Sequence, residues 1–79
     1  MAADWRARIT VDERVLVGKP TVRGLRISVE HVLRALANGV PEAELLADYP
    51  DLELDDIRAC LNYAAEVIAG ERVYQLAVA

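Results

Sequence analysis

Phenylalanine is absent from this chain, and its only aromatic side chains are Trp5, Tyr49, Tyr63 and Tyr74. A core must therefore be built from aliphatic residues and alanine, and with 54% of the residues apolar a packed core is expected rather than disorder. The single cysteine, Cys60, excludes an internal disulfide and any cysteine-based zinc site. On a helical pattern it reads as a small buried apolar residue. The single histidine, His31, stands beside Glu30, and nothing around it in sequence builds a pocket for a general base. It reads as an ordinary helix residue, and no enzymatic activity is expected. Asp48, Asp51, Asp55 and Asp56 are dense but lack the spacing and the glycine of a calcium loop, so neither a metal nor a cofactor is expected. No apolar run approaches the ~18 residues of a membrane span, and MAADWRARI has no apolar signal region. A cytoplasmic protein is the expectation.

What the chain does have is charge, unevenly spread. The net charge is −4. Residues 1–27 carry six cations against three carboxylates, 6 − 3 = +3, whereas residues 28–79 carry three against ten, 3 − 10 = −7. Such a split suggests two surfaces with different partners. At 79 residues the chain is one domain, 1–79, with a thin core of the kind that a partner subunit often completes.

The hydrophobic period changes once along the chain. WRARITV alternates, with Trp5, Ala7, Ile9 and Val11 on one side, which is the strand signal. VLV, TV and RISV read as further short extended pieces broken by Gly18, Pro20 and Gly24, so residues 5–28 are expected to be strands and tight turns. From Ser28, a good N-cap, Val29, Val32, Leu33, Leu36 and Ala37 follow helical spacing up to Asn38-Gly39. Pro41 suits the first position of a second helix, 41–48, closed by Tyr49-Pro50. The third helix, 54–69, carries a stripe of Leu54, Ile57, Leu61, Ala64 and Ile68 with Gly70 as its stop. The tail, 71–79, is apolar. The fold class expected is mainly α: a three-helix, helix-turn-helix-type bundle preceded by a small N-terminal β element.

The stretch VGKPTVRGLRISV, 17–29, concentrates glycine, proline and cations in an acidic protein. It fails the phosphate-loop pattern, because proline follows Gly18-Lys19 and no earlier glycine stands at the required spacing. Two readings remain. Lys19, Arg23 and Arg26, ahead of a helix N-terminus, suit a phosphate backbone; alternatively the glycines and proline shape turns while an arginine pairs with the acidic helices.

The run GKPTVRGLRISVEHVLRALANGVPEAELLADYPDLELDDIRACLNYA resembles the bacterial Domain of Unknown Function 433 family, over roughly residues 9–64. The resemblance is carried by Gly18, Lys19, Pro20, Gly24, Arg26, Ile27 and Val29, by Gly39, by Leu45, Leu46, Tyr49, Pro50 and Leu52, and by Asp56, Ile57, Ala59, Leu61 and Tyr63. Two helix starts depart from it: Val40-Pro41 and Glu53 stand where many members have Ser or Thr. The resemblance implies a homeodomain-like or winged-helix-like fold and a VapB-type antitoxin, working beside a PIN-like ribonuclease toxin and repressing its own promoter.

Within that reading the third helix is a poor DNA reader, since its start holds Glu53, Asp55 and Asp56. The candidate DNA contacts are Arg6, Arg8, Lys19, Arg23 and Arg26. The acidic helical half suits the basic cleft of an RNA-cleaving toxin, and Val73, Tyr74, Leu76 and Val78 are the candidate partner anchors. Strand pairing across a twofold axis predicts a homodimer. The alternative is a protein-interaction or dimerisation module that does not bind DNA.

Overall fold

Ser28 decides where the first long helix begins. Its Oγ accepts the His31 N–H at 2.9 Å, and helix α1 runs Val29–Ala37. The chain leaves α1 through Asn38 and Gly39, whose φ of +86° is the left-handed value that favours glycine. In this computed structural model, which describes residues 4–70, two more helices follow: α2, Glu42–Asp48, and α3, Leu54–Gly70. Pro41 sits one position earlier than expected. With ψ of 150° it is the extended cap residue, and its carbonyl accepts the Glu44 and Leu45 N–H groups. Tyr49, held out of the helical region by Pro50, ends α2. Gly70, expected as a stop, is still helical.

Ahead of the helices lies a two-stranded antiparallel sheet, β1 (Ile9–Val11) and β2 (Pro20–Val22), in the register Ile9↔Val22, Thr10↔Thr21, Val11↔Pro20. The molecule is thus mainly helical, three helices preceded by a small β element. Two expected extended pieces are helical turns instead. Trp5–Arg8 is a single 3-10 turn, because the Asp4 carboxylate accepts the Arg6 N–H at 3.0 Å and closes the chain on itself. Leu16–Gly18 is another, with positive φ at all three residues.

The GKPTVRG stretch makes β2 and then a tight turn. Leu25 N–H donates to Val22 C=O at 2.8 Å, and Arg23 and Gly24 both take positive φ, the type I′ signature. The return brings Ser28 back to bridge Thr21. The sheet therefore feeds directly into α1.

The core is Val22, Val29, Val32, Leu45, Leu52, Ile57 and Cys60, drawn from β2, from every helix and, at Leu52, from the turn before α3. The buried side of α3 differs from the stripe expected. Asp56, Ile57, Ala59 and Cys60 face inward, while Leu54, Leu61 and Ile68 are exposed, Ile68 at 65%. Periodicity alone cannot place an aspartate inward. Its partners, described next, do.

Candidate functional site

Asp56 is the only charged residue among the described ones that is fully buried. Four donor groups hold it through five hydrogen bonds. Arg23 Nε donates to both carboxylate oxygens, at 3.0 and 3.2 Å, and Arg23 Nη2 donates to Oδ2 at 2.8 Å. Arg8 Nη1 donates to Oδ1 at 2.9 Å. The Glu53 N–H donates to Oδ2 at 2.8 Å, so Asp56 also reaches back to cap α3, as the third residue of a capping box does. Glu53, freed from capping with its own side chain, accepts from Arg8 Nη1 at 2.8 Å. Arg23 Nη2 donates further to the Asp51 carbonyl.

Burial pushes the Asp56 carboxyl toward a higher pKa. The hydrogen bonds from Arg23, the Glu53 amide and Arg8 outweigh it, and the net direction is down. Both guanidiniums move the opposite way: Arg8 is raised by its bonds to Glu53 and Asp56, and Arg23 by its bond to Asp56. A buried carboxylate with two arginines and an amide on it is fully satisfied, and no buried side-chain polar atom among the described residues lacks a partner.

The five candidate DNA cations are therefore not one free surface. Arg8, just before β1, and Arg23, just after β2, converge on Asp56. Arg6 donates to Glu66 at 2.8 Å and to Asp4 at 3.4 Å, with its guanidinium carbon 4.6 Å from the Trp5 ring centroid. Lys19 donates to Glu30 at 3.2 Å. Among the described residues Arg26 alone of the five has no carboxylate within ion-pair distance. The charge split along the sequence is largely cancelled across the seam between the N-terminal arm and α3. Val73, Tyr74, Leu76 and Val78 lie outside the described residues.

Charge left over gathers elsewhere. On α2 and the turn after it, Glu42, Glu44, Asp48 and Asp51 are all exposed, and no cation lies within ion-pair distance among the described residues. Two shallow apolar grooves share Tyr63. One, of about 430 Å³, lies between β1 and α3 and includes Trp5, Ile9, Val11 and Val67. The other, of about 400 Å³, lies between α1 and β2 and includes Pro20, Leu33 and Ala37.

His31 is tied down. Its Nε2 lies 2.8 Å from Tyr49 Oη, joining α1 to the end of α2 beside a cleft of about 240 Å³. Sequence reasoning missed this pair, and only the shared proximity of both residues to helix ends could have hinted at it. No cluster of three or more His, Cys, Asp or Glu side chains suited to a metal occurs among the described residues, nor any helix long and apolar enough to cross a membrane.

A model of the family described as protein of unknown function (DUF433) matches residues 9–64. The chain belongs to the DUF433 family. A solved DUF433 member from Anabaena variabilis ATCC 29413 superposes with a TM-score of 0.75 at 30% sequence identity, over 81% of this chain and 63% of that one. The chain thus spans less than two thirds of that DUF433 protein. No curated protein matches it. The matched segment holds both strands and the first two helices but stops within α3, so it includes the Arg23–Asp56 pair and excludes Arg6, Arg8 and Glu66.

Cys60, buried in the core, has its thiol pushed up to about 11 by burial and then by the Asp56 charge. It should react with a thiol reagent at pH 8 roughly two orders of magnitude more slowly than a free cysteine, on thiolate fraction alone. A kinetic trace with Ellman's reagent checks this: unfolding should release the thiol, whereas fast labelling of the native chain would mean that the α3 face is open.

Proposed function

We propose that the chain is the antitoxin of a toxin–antitoxin pair, binding and inhibiting a PIN-like ribonuclease and catalysing no step of its own. The carrying observation is the exposed, unneutralised group Glu42, Glu44, Asp48 and Asp51, on a protein whose N-terminal cations are mostly committed to internal partners. A nuclease that holds RNA must present a basic cleft, and such an acidic group complements it in sign. The resemblance of residues 9–64 to the DUF433 family, which implies a VapB-type antitoxin, supports the same reading.

Repression of the chain's own promoter is the second part of the reading, supported by Arg26, whose guanidinium is uncommitted among the described residues. Lys19 and Arg6, each with an exposed side chain in a surface ion pair, are the other phosphate contacts in this reading, since exposed pairs are weak and exchange readily. Arg8 and Arg23 are assigned to the fold.

The experiment is co-expression of the chain with the product of the adjacent gene, one of the two tagged, followed by sizing and an RNA-cleavage assay. Co-purification as a complex that suppresses cleavage is expected. A lone protein that shifts promoter DNA in a strongly salt-dependent manner would replace this reading with that of a free-standing regulator.

A further inference from the structure

We propose that the free edge of β1 is a homodimer seam, in which β1 pairs antiparallel with β1 of a second copy across a twofold axis through Thr10. The inference does not depend on the antitoxin reading.

The hydrogen-bonding pattern defines the edge. Arg23 N–H donates to Arg8 C=O at 2.8 Å, and Thr21 Oγ1 donates to Thr10 C=O at 3.2 Å, so the backbone of Arg8 and Thr10 points toward β2. In an antiparallel ladder the alternate residues, Ile9 and Val11, then point away from it. Among the described residues no strand meets that side. The far edge of β2 is covered, because Val22 N–H donates to Ile27 C=O and Ser28 bridges Thr21.

One of the outward groups is already committed: Ile9 N–H donates to Arg6 C=O. Val11 N–H remains as donor and Ile9 C=O as acceptor, two residues apart on one edge. A twofold axis at Thr10 sets each Val11 N–H against the other copy's Ile9 C=O, twice, and asks nothing of the committed Ile9 N–H. The edge is complementary to itself.

Three further observations favour a second copy as the occupant. Ile-Thr-Val is β-branched throughout and has neither charge nor proline, the devices by which exposed edges usually avoid pairing. Val11 is 64% exposed and opens onto the groove of Trp5, Tyr63 and Val67, so the pairing would join two such apolar grooves side by side. Most charges beside the seam are internally paired, Arg6 with Asp4 and Glu66 and Arg14 with Asp12, which leaves Glu13 as the carboxylate there without an ion pair among the described residues.

Sizing by light scattering, with Val11→Lys and Thr10→Cys variants of the full chain, tests the seam. The unmodified chain should run at twice its 8.7 kDa mass. Val11→Lys should run as a monomer with an unchanged circular dichroism spectrum, because its side chain is exposed in the single copy. Thr10→Cys should form a disulfide-linked dimer under mild oxidation, since facing residues of a non-hydrogen-bonded pair sit at disulfide distance. Arg14→Cys, away from the axis, should not. A chain that stays monomeric up to millimolar concentration would overturn the proposal. So would a dimer that survives Val11→Lys and leaves Thr10→Cys uncrosslinked.

Discussion

Replacing Asp56 by alanine should cost about 3 kcal/mol of stability, which for a domain of this size lowers the melting temperature by about 10–20 °C. The figure sits at the low end for a broken buried ion pair because the two arginines are partly solvated, Arg8 at 21% and Arg23 at 35% exposure. Three losses combine: Arg23 and Arg8 lose their shared acceptor, and the Glu53 N–H loses its cap. Asp56→Asn keeps one acceptor and the volume, and should fall between wild type and Asp56→Ala. Asp55→Ala is the control, since Asp55 reaches only Arg58 at 3.9 Å and Arg8 at 3.8 Å from an exposed position, and exposed pairs contribute about 0–1 kcal/mol. Thermal and urea denaturation of the three variants decides the matter; equal losses for Asp55→Ala and Asp56→Ala would remove Asp56 from its place in the fold. The pH dependence carries the same signature. The Asp56 carboxyl is held below its ordinary value of 3.8, so its contribution is complete above about pH 4 and is lost as the pH falls through the lower, folded value. The stability gap between wild type and Asp56→Asn should therefore be flat from neutrality to about pH 5 and close below about pH 4.

Asp56 also marks the boundary of what the sequence alone could tell. The three helices were legible because Ser28, Gly39 and Pro50 punctuate apolar runs of the right period, and each acts locally. The inner face of α3 was not. A carboxylate turns inward there only because two arginines, 33 and 48 residues earlier in the chain, reach it, and no window of local pattern spans that distance. The same long-range pairing explains the N-terminal arm. Alternation in WRARITV placed the arginines on the strand face opposite Trp5 and Ile9, but Arg6 and Arg8 have carboxylates waiting on α3, at Glu66 and Asp56, and the chain curls into a 3-10 turn from Asp4 before the strand begins. Of the two readings open for VGKPTVRGLRISV, the pairing of an arginine with the acidic helices is seen in Arg23, whose left-handed φ of 47° carries its side chain toward Asp56. The candidate site was legible only as composition: the excess of carboxylates over residues 28–79 was plain, but which of them stay unneutralised depended on the fold.

Those unneutralised carboxylates give the second large effect. Reversing Glu42, Glu44 and Asp48 to lysine should weaken binding of the proposed basic partner by two orders of magnitude or more, chiefly through a slower association rate. All three sit on one short helix, Glu44 and Asp48 one turn apart and Glu42 on another side of it, so each reversal turns an attraction into a repulsion within about a Debye length of its neighbours. Glu42 and Glu44 also lie in the first turn of α2, where a negative charge favours the helix by about 0.3–1 kcal/mol each. The triple reversal must therefore be shown to be folded, and neutral Gln and Asn replacements provide the milder series: weaker binding than wild type, stronger than the lysine variant, with little change in melting. Added salt separates the cause from simple loss of fold, because screening should draw the affinities of wild type and neutral variant together. Surface plasmon resonance against the co-purified partner reads all of this. Lysine variants that bind as fast as wild type at low salt would move the docking surface away from α2, leaving the apolar flank around Tyr63 to carry it, and a partner held there would hardly respond to salt at all.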